Sequence, residues 1–331
     1  MIWTRRAFVA SLAAGAAACA TKSVPATGPA PARPPLAPGL TLTERLGFAA
    51  DARLVIVNLD DLGLLHAVDA AAFGILDKGL IVSGSVMAPC PWFPEAADYA
   101  RSHPALDLGL HFTFTSERPL YRWGPVLGAR AVPSLVDDDG YFPVSWDASR
   151  RVNLAEVDAE MRAQLARARK LGFNPTHLDS HEHCLQWLGD PIFELFLRVA
   201  TENRLPIRVG RNWVIEHPYL ARVERAGGVM LDRTISIPPE TPPEQWTAWY
   251  ADSIRNLRPG VTEIFLHPAY DDGEMRSFAP ARFSWGAAWR QRDLDAIQSP
   301  AVQNALTTAG VTIIRWSDIG KLLAPGSTPP G

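Results

Sequence analysis

The sequence predicts an α/β fold in which a parallel sheet closes, or nearly closes, into a β/α barrel. Apolar, β-branched segments alternate with helical segments over roughly 280 residues, and strands that alternate with helices form parallel sheets covered on both faces. The first such segment, RLVIVNL at 53–59, is apolar on both faces, as a buried parallel strand is. An open doubly wound sheet is the alternative. It is less favoured because Asp60 and Asp61, rather than a glycine-rich phosphate loop, follow this strand.

The predicted elements follow one another along the chain. Strand segments are runs of apolar and β-branched residues between turn signals, at 53–59, 83–88, 106–114, 176–181, 205–210, 229–236, 262–267 and 311–316. Helical segments carry apolar residues at helical spacing, at 68–79, 95–102 and 154–172 and from Pro191, Pro243 and Trp289 onward. The segment 154–172 is the clearest helix, because Asn153 can cap its start and Gly172 its end.

One long stretch, 119–151, shows no periodicity. It could hold a small hairpin. Loops of this length in a compact domain are more often lids or binding loops than passive connections.

The first 20 residues predict an export signal rather than a part of the fold. A twin arginine, Arg5–Arg6, precedes an apolar run at 7–18 that is too short to span a bilayer. The small residues before Cys19 resemble a lipoprotein processing site, so lipidation of Cys19, plain cleavage and an uncleaved anchor are all open. The protein is therefore expected outside the cytoplasm, in the periplasm or anchored to a membrane and facing the periplasm.

The rest of the chain divides into a linker, one domain and a short tail. Residues 21–40 are rich in Pro and Ala and predict an extended tether, which precedes a folded domain at 41–324 and a flexible tail at 325–331. Only Cys90 and Cys184 lie within that domain, too few for a disulfide framework, although one bridge is compatible with an oxidising compartment. The formal net charge of -3 provides no basic field, so nucleic acid is not an expected partner.

Three histidines and one aspartate stand within the segment THLDSHEH. In a strand, His177, Asp179, His181 and His183 would share one face, because side chains alternate with a period of two; in a helix, only His177 and His181 would stay together. The turn at Asn174–Pro175 favours the strand. Neighbours on a strand face lie about 6.6 Å apart, so only one or two of these residues can bind one metal ion at about 2.1 Å. The others are expected to orient a ligand or to line the substrate cleft.

Further polar side chains follow other predicted strands, and these are Asp60, Asp61, His111, Arg208 and His267. Each alone has an ordinary structural interpretation, since an Asp pair can cap a helix and a lone His is usually a satisfied core group. The carboxyl ends of the strands form the catalytic face of a β/α barrel, so the shared position of these residues predicts an active site there.

A series of motifs runs along the chain, and in order they are VNLDDLG, LGLHFTFT, SLVDDDGYF, PTHLDSHEH, IRVGR, LHPAY and WRQRDLDAI. Together they resemble the YdjC-like carbohydrate deacetylase family, also called the ChbG/HpnK family. The resemblance covers Leu54 to Leu323 and implies a single-domain, distorted β/α barrel related to polysaccharide deacetylases. It also implies a hydrolase that removes acetyl groups from N-acetylated amino sugars or oligosaccharides with a divalent metal ion.

The same resemblance implies a role for each motif residue. The metal ligands would be Asp61, His111 and His181, the general base Asp60 and the general acid His267. The other residues that it and the aromatic content suggest for substrate binding or for support of the site are Arg208, His177, Asp179, His183, Trp285 and Arg290.

The residue types agree with that chemistry. A divalent ion held by three protein ligands can lower the pKa of bound water toward ~7, making it a nucleophile, and can polarise the acetyl carbonyl. Two imidazoles and one carboxylate favour Zn²⁺, with Mg²⁺ as the alternative.

The sequence departs from the family pattern at Leu59, Leu62, Leu185 and Ala269, which puts the identity of the sugar in doubt more than the type of reaction. Two other functions stay open, an O-deacetylase of an envelope polysaccharide and a non-catalytic sugar-binding envelope lipoprotein. The second is disfavoured, because a binding module needs neither a general acid nor a general base.

Overall fold

The computed structural model describes residues 39–146, 151–279 and 284–323. The predicted export signal with Cys19, nearly all of the predicted linker and the predicted tail lie outside these ranges. None of the helices among the described residues has the length and hydropathy that a membrane span requires.

The described residues form one parallel sheet of seven strands. The strands are β1 (Arg53–Leu62), β2 (Ser83–Val86), β3 (Asp107–Phe112), β4 (Leu178–Ser180), β5 (Arg233–Ile235), β6 (Gly260–Leu266) and β7 (Thr312–Ile313). Their order is β4-β3-β2-β1-β6-β5, and β7 pairs with β1. Every pairing is parallel, as the alternation of strand and helix segments predicted.

The sheet curls, and the segment 207–210 lies between its two outer ends, where it forms one β-bridge on each side. Leu178 of β4 bridges Ile207, and Gly210 bridges Leu231, which lies two residues before β5. The predicted strand at 205–210 is therefore wrong as a strand, because this segment pairs through one bridge on each side instead of a ladder. The nearly closed barrel of the sequence prediction is nevertheless the observed architecture.

Twelve α-helices cover the sheet within the described residues. They are α1 (Leu42–Arg45), α2 (His66–Leu76), α3 (Phe93–Ser102), α4 (Leu154–Lys170), α5 (Cys184–Trp187), α6 (Asp190–Asn203), α7 (Arg222–Arg225), α8 (Trp246–Arg255), α9 (Gly273–Phe278), α10 (Ala287–Gln298), α11 (Pro300–Thr308) and α12 (Trp316–Lys321). Asn153 caps α4 as expected, since its side chain accepts a hydrogen bond from the Ala155 amide.

Side-chain alternation along β1 explains why the barrel is apolar at one end and polar at the other. Val55, Val57 and Leu59 face the large core between the sheet and the helices. Leu54 and Ile56 belong to a smaller core that also contains Trp316. Residues 58 and 60 follow Leu54 and Ile56 on the same face of β1, and both are buried and polar. The barrel interior therefore becomes polar toward the carboxyl ends of the strands.

Two local predictions are corrected. The segment 177–183 is not one strand: β4 ends at Ser180, and His181–His183 form a 3-10 turn in which Glu182 and His183 have φ of 52° and 51°. The four polar residues therefore do not share a single strand face. No hairpin forms in the described part of 119–151, where the structure has turns and a short 3-10 helix, Pro133–Leu135.

Candidate active site

A cavity of about 380 Å³ opens at the carboxyl ends of the strands. Most of the residues that the sequence suggested line it, namely Asp60, Asp61, His111, His181, His183, His267, Trp285 and Arg290. Asp179 and Arg208 are fully buried and contact residues of this group from beneath, whereas the fully buried His177 contacts Ser85 instead.

Asp61, His111 and His181 converge on one point of the cavity wall. The Oδ1 atom of Asp61 lies 3.1 Å from Nδ1 of His181 and 3.4 Å from Nε2 of His111, and all three residues are buried. Ligands bound at 2.0–2.1 Å to one tetrahedral ion stand about 3.3–3.4 Å apart, so this spacing fits a shared divalent ion. One carboxylate and two imidazoles are also a donor set that Zn²⁺ accepts.

The backbone at Asp61 departs from a regular strand. Asp61 has φ of 71°, in the left-handed region, and the pairing of β1 with β2 is irregular between Leu59 and Leu62. A strained conformation at a non-glycine residue is found at functional sites more often than elsewhere. In a regular strand Asp61 would point to the opposite side of the sheet from Asp60, whereas here both line the cavity and contact different partners, Arg290 and Arg208.

The electrostatic field around the three residues favours a cation. Burial would raise the pKa of Asp61, but the charges of Arg290 and His181 hold it well below its usual range, so the carboxylate stays ionised. Burial would lower the pKa of His111, yet the charge and hydrogen bond of Asp179 raise it to about 9. The pKa values of both imidazoles are raised despite burial, which indicates a negative electrostatic potential at this point. A negative potential also favours the binding of a divalent cation.

Asp60 belongs to a fully buried ion cluster centred on Arg208. Both terminal nitrogens of Arg208 donate to Asp60 at 2.7 Å, Nη2 is also 2.9 Å from Asp179, and Nε donates to Glu263 at 2.9 Å. Burial would raise the pKa of Asp60, but the charge and hydrogen bonds of Arg208 lower it below its ordinary value. Asp60 is therefore ionised, and the planar guanidinium fixes the direction of its oxygens.

His267 lies beside Asp60 at the end of β6. Its Nε2 is 3.9 Å from Oδ2 of Asp60, and its main-chain amide donates to Asp293 at 2.9 Å. Burial lowers the pKa of His267, so the imidazole is largely neutral near pH 7.

Two of the remaining predicted residues, Asp179 and Arg290, support the site from below or from the side, and a third, His177, lies apart from it. Asp179 accepts hydrogen bonds from His111 at 2.7 Å and from Ser85 at 2.7 Å. Arg290 donates to Oδ2 of Asp61 at 2.6 Å and to the carbonyl of Trp285 at 2.9 Å. His177 does not line the cavity; its ring stacks on Trp316 with centroids 5.0 Å apart.

Comparisons with known proteins identify the family of this chain. The family model described as YdjC-like protein matches residues 54–308. The chain belongs to the YdjC-like family. Two relatives named carbohydrate deacetylase come from Geobacillus stearothermophilus, at 30% identity over 82% of this chain and 99% of the relative, and Thermus thermophilus, at 33% identity over 81% and 94%.

A solved structure supports the fold of this YdjC-like protein independently. It is a protein of Enterococcus faecalis V583, provisionally described as a cellobiose-phosphate cleavage protein. It aligns with a TM-score of 0.69 at 26% identity and covers 81% of this chain and 99% of its own.

Sequence reasoning missed three carboxylates that contact the proposed site of this YdjC-like protein. Glu117 lies 3.2 Å from His181, Glu263 holds Arg208, and Asp293 holds the backbone of His267. Glu263 sits in the middle of an apolar strand, where a charge is unusual, and that was a usable signal. Glu117 lies in a loop among other charged residues, where its position gave no such signal.

Proposed function

We propose that this YdjC-like protein hydrolyses the N-acetyl group of an amino sugar or an amino-sugar oligosaccharide. The proposal rests mainly on one observation: the buried residues Asp61, His111 and His181 lie close together in the cavity. The same cavity also contains Asp60 and His267, whose side chains are 3.9 Å apart. These three residues would hold one divalent ion, for which Zn²⁺ is the preferred candidate and Mg²⁺ the alternative. Such an ion supplies Lewis acidity, which lowers the pKa of a water molecule and polarises an acyl oxygen.

Asp60 is suited to the role of general base. Its Oδ1 accepts hydrogen bonds from Asn58 and from Arg208, whereas Oδ2 accepts one from Arg208 and lies on the side of His267. These hydrogen bonds restrict rotation of the carboxylate and fix the direction of its oxygens. The orientation of a general base accounts for a large part of its catalytic efficiency.

His267 is suited to deliver a proton to the leaving amine. The ring starts neutral because burial lowers its pKa, so it must receive a proton during the reaction. Asp60, with Oδ2 3.9 Å from Nε2, is the adjacent source of that proton after it has accepted one from water. A protonated imidazole with a lowered pKa is a stronger acid, which favours transfer to the amine as the C–N bond breaks.

An aromatic arc along one wall of the cavity supports a sugar as the substrate. Trp187 contacts His183 with ring centroids 4.6 Å apart, His183 contacts Phe265 at 5.3 Å, Phe265 contacts His267 at 5.9 Å, and His267 contacts Trp285 at 6.5 Å. Trp187 and Trp285 line the cavity and are 45% and 38% exposed. Exposed rings of this kind pack against the apolar faces of sugar rings.

The decisive experiment measures acetate release from N-acetylglucosamine oligomers by the purified protein, together with its metal content. We expect activity to be lost with a chelator and restored by Zn²⁺. Asp60→Asn should lose about 100-fold or more in kcat while still binding the metal, because Asp60 is a base and not a ligand. Asp98→Asn, in which the replaced side chain is 67% exposed, is the matched control and should keep full activity.

The other outcomes of the same experiment would replace the proposal. Acetate released only from O-acetylated polysaccharide would make the protein an O-deacetylase. Sugar binding without bound metal and without acetate release would make it a binding protein.

We also propose that the protein is exported, on the basis of the twin arginine and apolar run at its N-terminus. Fractionation of cells that produce the full chain tests this proposal, with Arg5→Lys/Arg6→Lys as the variant that should remain in the cytoplasm. Labelling with a radioactive fatty acid, with Cys19→Ala as control, tests the lipid anchor.

A further inference from the structure

Glu117 is a carboxylate at the cavity wall that no motif of the sequence assigned to the site. It lies in the loop after β3 and lines the cavity. Its Oε2 is 3.2 Å from Nε2 of His181, and its side chain is only 14% exposed. The contact therefore places a carboxylate, whose oxygens accept hydrogen bonds, against the ring nitrogen of His181.

The two histidines of the proposed metal site have the same arrangement. In His111, Nε2 faces Oδ1 of Asp61 at 3.4 Å and Nδ1 faces Asp179 at 2.7 Å. In His181, Nδ1 faces the same Oδ1 at 3.1 Å and Nε2 faces Glu117. Each ring therefore stands between the shared Asp61 oxygen and a carboxylate of its own.

We infer that Glu117 is a positioning residue that holds His181 with its proton on Nε2 and its Nδ1 lone pair directed at the metal. A neutral imidazole carries one N–H, and a carboxylate can only accept it, so the hydrogen bond to Glu117 selects one tautomer. Histidines that bind metals are commonly oriented by a carboxylate on the other ring nitrogen. This inference rests on the proposed function, because it assigns a role toward the ion that Asp61, His111 and His181 would hold.

A competing arrangement uses the same atoms differently. Glu117, His181 and Glu182 also place one ligand atom each within 4.8 Å of one another, so an ion could sit on the Nε2 side of the ring. The two arrangements differ in Glu182, which would be a ligand in the second and has no part in the first. Glu182 is also the residue next to His181, which makes it a matched control for the loss of a negative charge.

The test is the affinity of the metal-free full chain for Zn²⁺ alone, measured by competition with a chromophoric chelator. We expect Glu117→Ala to bind Zn²⁺ about 10- to 100-fold more weakly than the unmodified protein. Glu117→Gln should bind with intermediate affinity, because an amide oxygen still accepts the N–H but carries no charge. Glu182→Ala should match the unmodified protein, and urea unfolding of the metal-free variants checks that each is folded.

Nitrogen-15 NMR of the histidine rings gives a second measurement that a loss of packing would not reproduce. In the Zn²⁺-loaded protein, His181 should show a proton on Nε2 and metal-bound Nδ1, and Glu117→Ala should lose the slow exchange of that proton. Unchanged Zn²⁺ affinity in Glu117→Ala, or an equal loss in Glu182→Ala, overturns the inference. Absence of Zn²⁺ binding by the unmodified protein would instead overturn the metal site of the proposed function.

Discussion

Loss of Arg208 should strongly destabilise the protein, and Arg208→Met is the substitution that tests this expectation. The guanidinium is fully buried and is the shared partner of Asp60, Asp179 and Glu263. Removing one partner of a buried ion pair costs about 3–5 kcal/mol, because the remaining charge stays out of water without compensation. Domains are commonly stable by only about 5–15 kcal/mol, so this loss is a large fraction of the total.

A matched control separates this effect from the loss of any arginine. Arg162 also pairs with two carboxylates, Asp158 and Glu202, but its side chain is 42% exposed. Arg162→Met should therefore cost about 0–1 kcal/mol, as exposed ion pairs do. Arg208→Lys should fall between the two, because an ammonium keeps the charge and cannot form the planar double contact with Asp60.

The stability difference should also depend on pH, with a sign that follows from Asp60. In the unmodified protein, Arg208 keeps the pKa of Asp60 below its ordinary value, so the stabilisation is present above about pH 4 and is lost as pH falls through the lowered pKa. Without Arg208, burial and the charge of Asp179 raise the pKa of Asp60, and the charge of His111 is a smaller opposing effect than burial. The variant then loses stability as pH rises above about 4, so the gap between the two proteins should widen from pH 4.5 to pH 7.

Urea unfolding followed by tryptophan fluorescence at pH 4.5 and pH 7 measures these differences. The reasoning is refuted if Arg208→Met and Arg162→Met lose the same free energy of unfolding at pH 7. It is also refuted if the cost of Arg208→Met is larger at pH 4.5 than at pH 7.

Three further predictions concern single side chains. Burial lowers the pKa of His177 to about 4, so the unmodified protein should lose about 2–3 kcal/mol as pH falls from 6.5 to 4.5, and urea unfolding of His177→Phe should lack that component. A Cβ at Gly109 would lie 2.4 Å from Nε2 of His177, so Gly109→Ala should cost about 1–3 kcal/mol in the same assay; Gly273→Ala, with nothing within 4 Å, should cost little, and equal costs would contradict the packing argument. Trp187→Ala should lower kcat/KM for N-acetylated oligosaccharides about 3- to 10-fold, whereas Trp92→Ala, 36% exposed and outside the residues that line the cavity, should leave it unchanged; equal effects would remove Trp187 from the substrate site.

Local sequence patterns were sufficient for the architecture and for the location of the site. The segment 54–59 is apolar at every position except Asn58, and side chains of this kind are buried on both faces only between two layers, which predicts a buried parallel strand with polar residues at its carboxyl end. The same reasoning located His111 and His267 correctly at the ends of β3 and β6. Asn153 marked the start of α4, since a cap acts on amides within the next turn of the chain.

Local patterns failed where the backbone left regular structure. Residues 177–183 alternate like a strand, yet Glu182 and His183 adopt left-handed conformations, and His183 turns toward Trp187 and Trp213. Left-handed residues other than glycine are rare and leave no clear mark in the sequence. The prediction of a strand at 205–210 was wrong for a related reason. Whether this segment forms a full ladder with its neighbours depends on the curvature of the sheet, which the local sequence does not encode.

The sequence by itself determined the order of strands and helices, the family and the set of polar residues at one end of the barrel, because these depend on periodicity and on motifs within short segments. Only the tertiary structure decided which side chains meet. Asp61 lies 120 residues from His181 and 229 from Arg290, and Asp60 lies 148 from Arg208. Such contacts depend on register and on the curvature of the whole sheet, so the contact of Asp61 with Arg290, the cluster on Arg208 and the carboxylate beside His181 could be determined only from the folded chain.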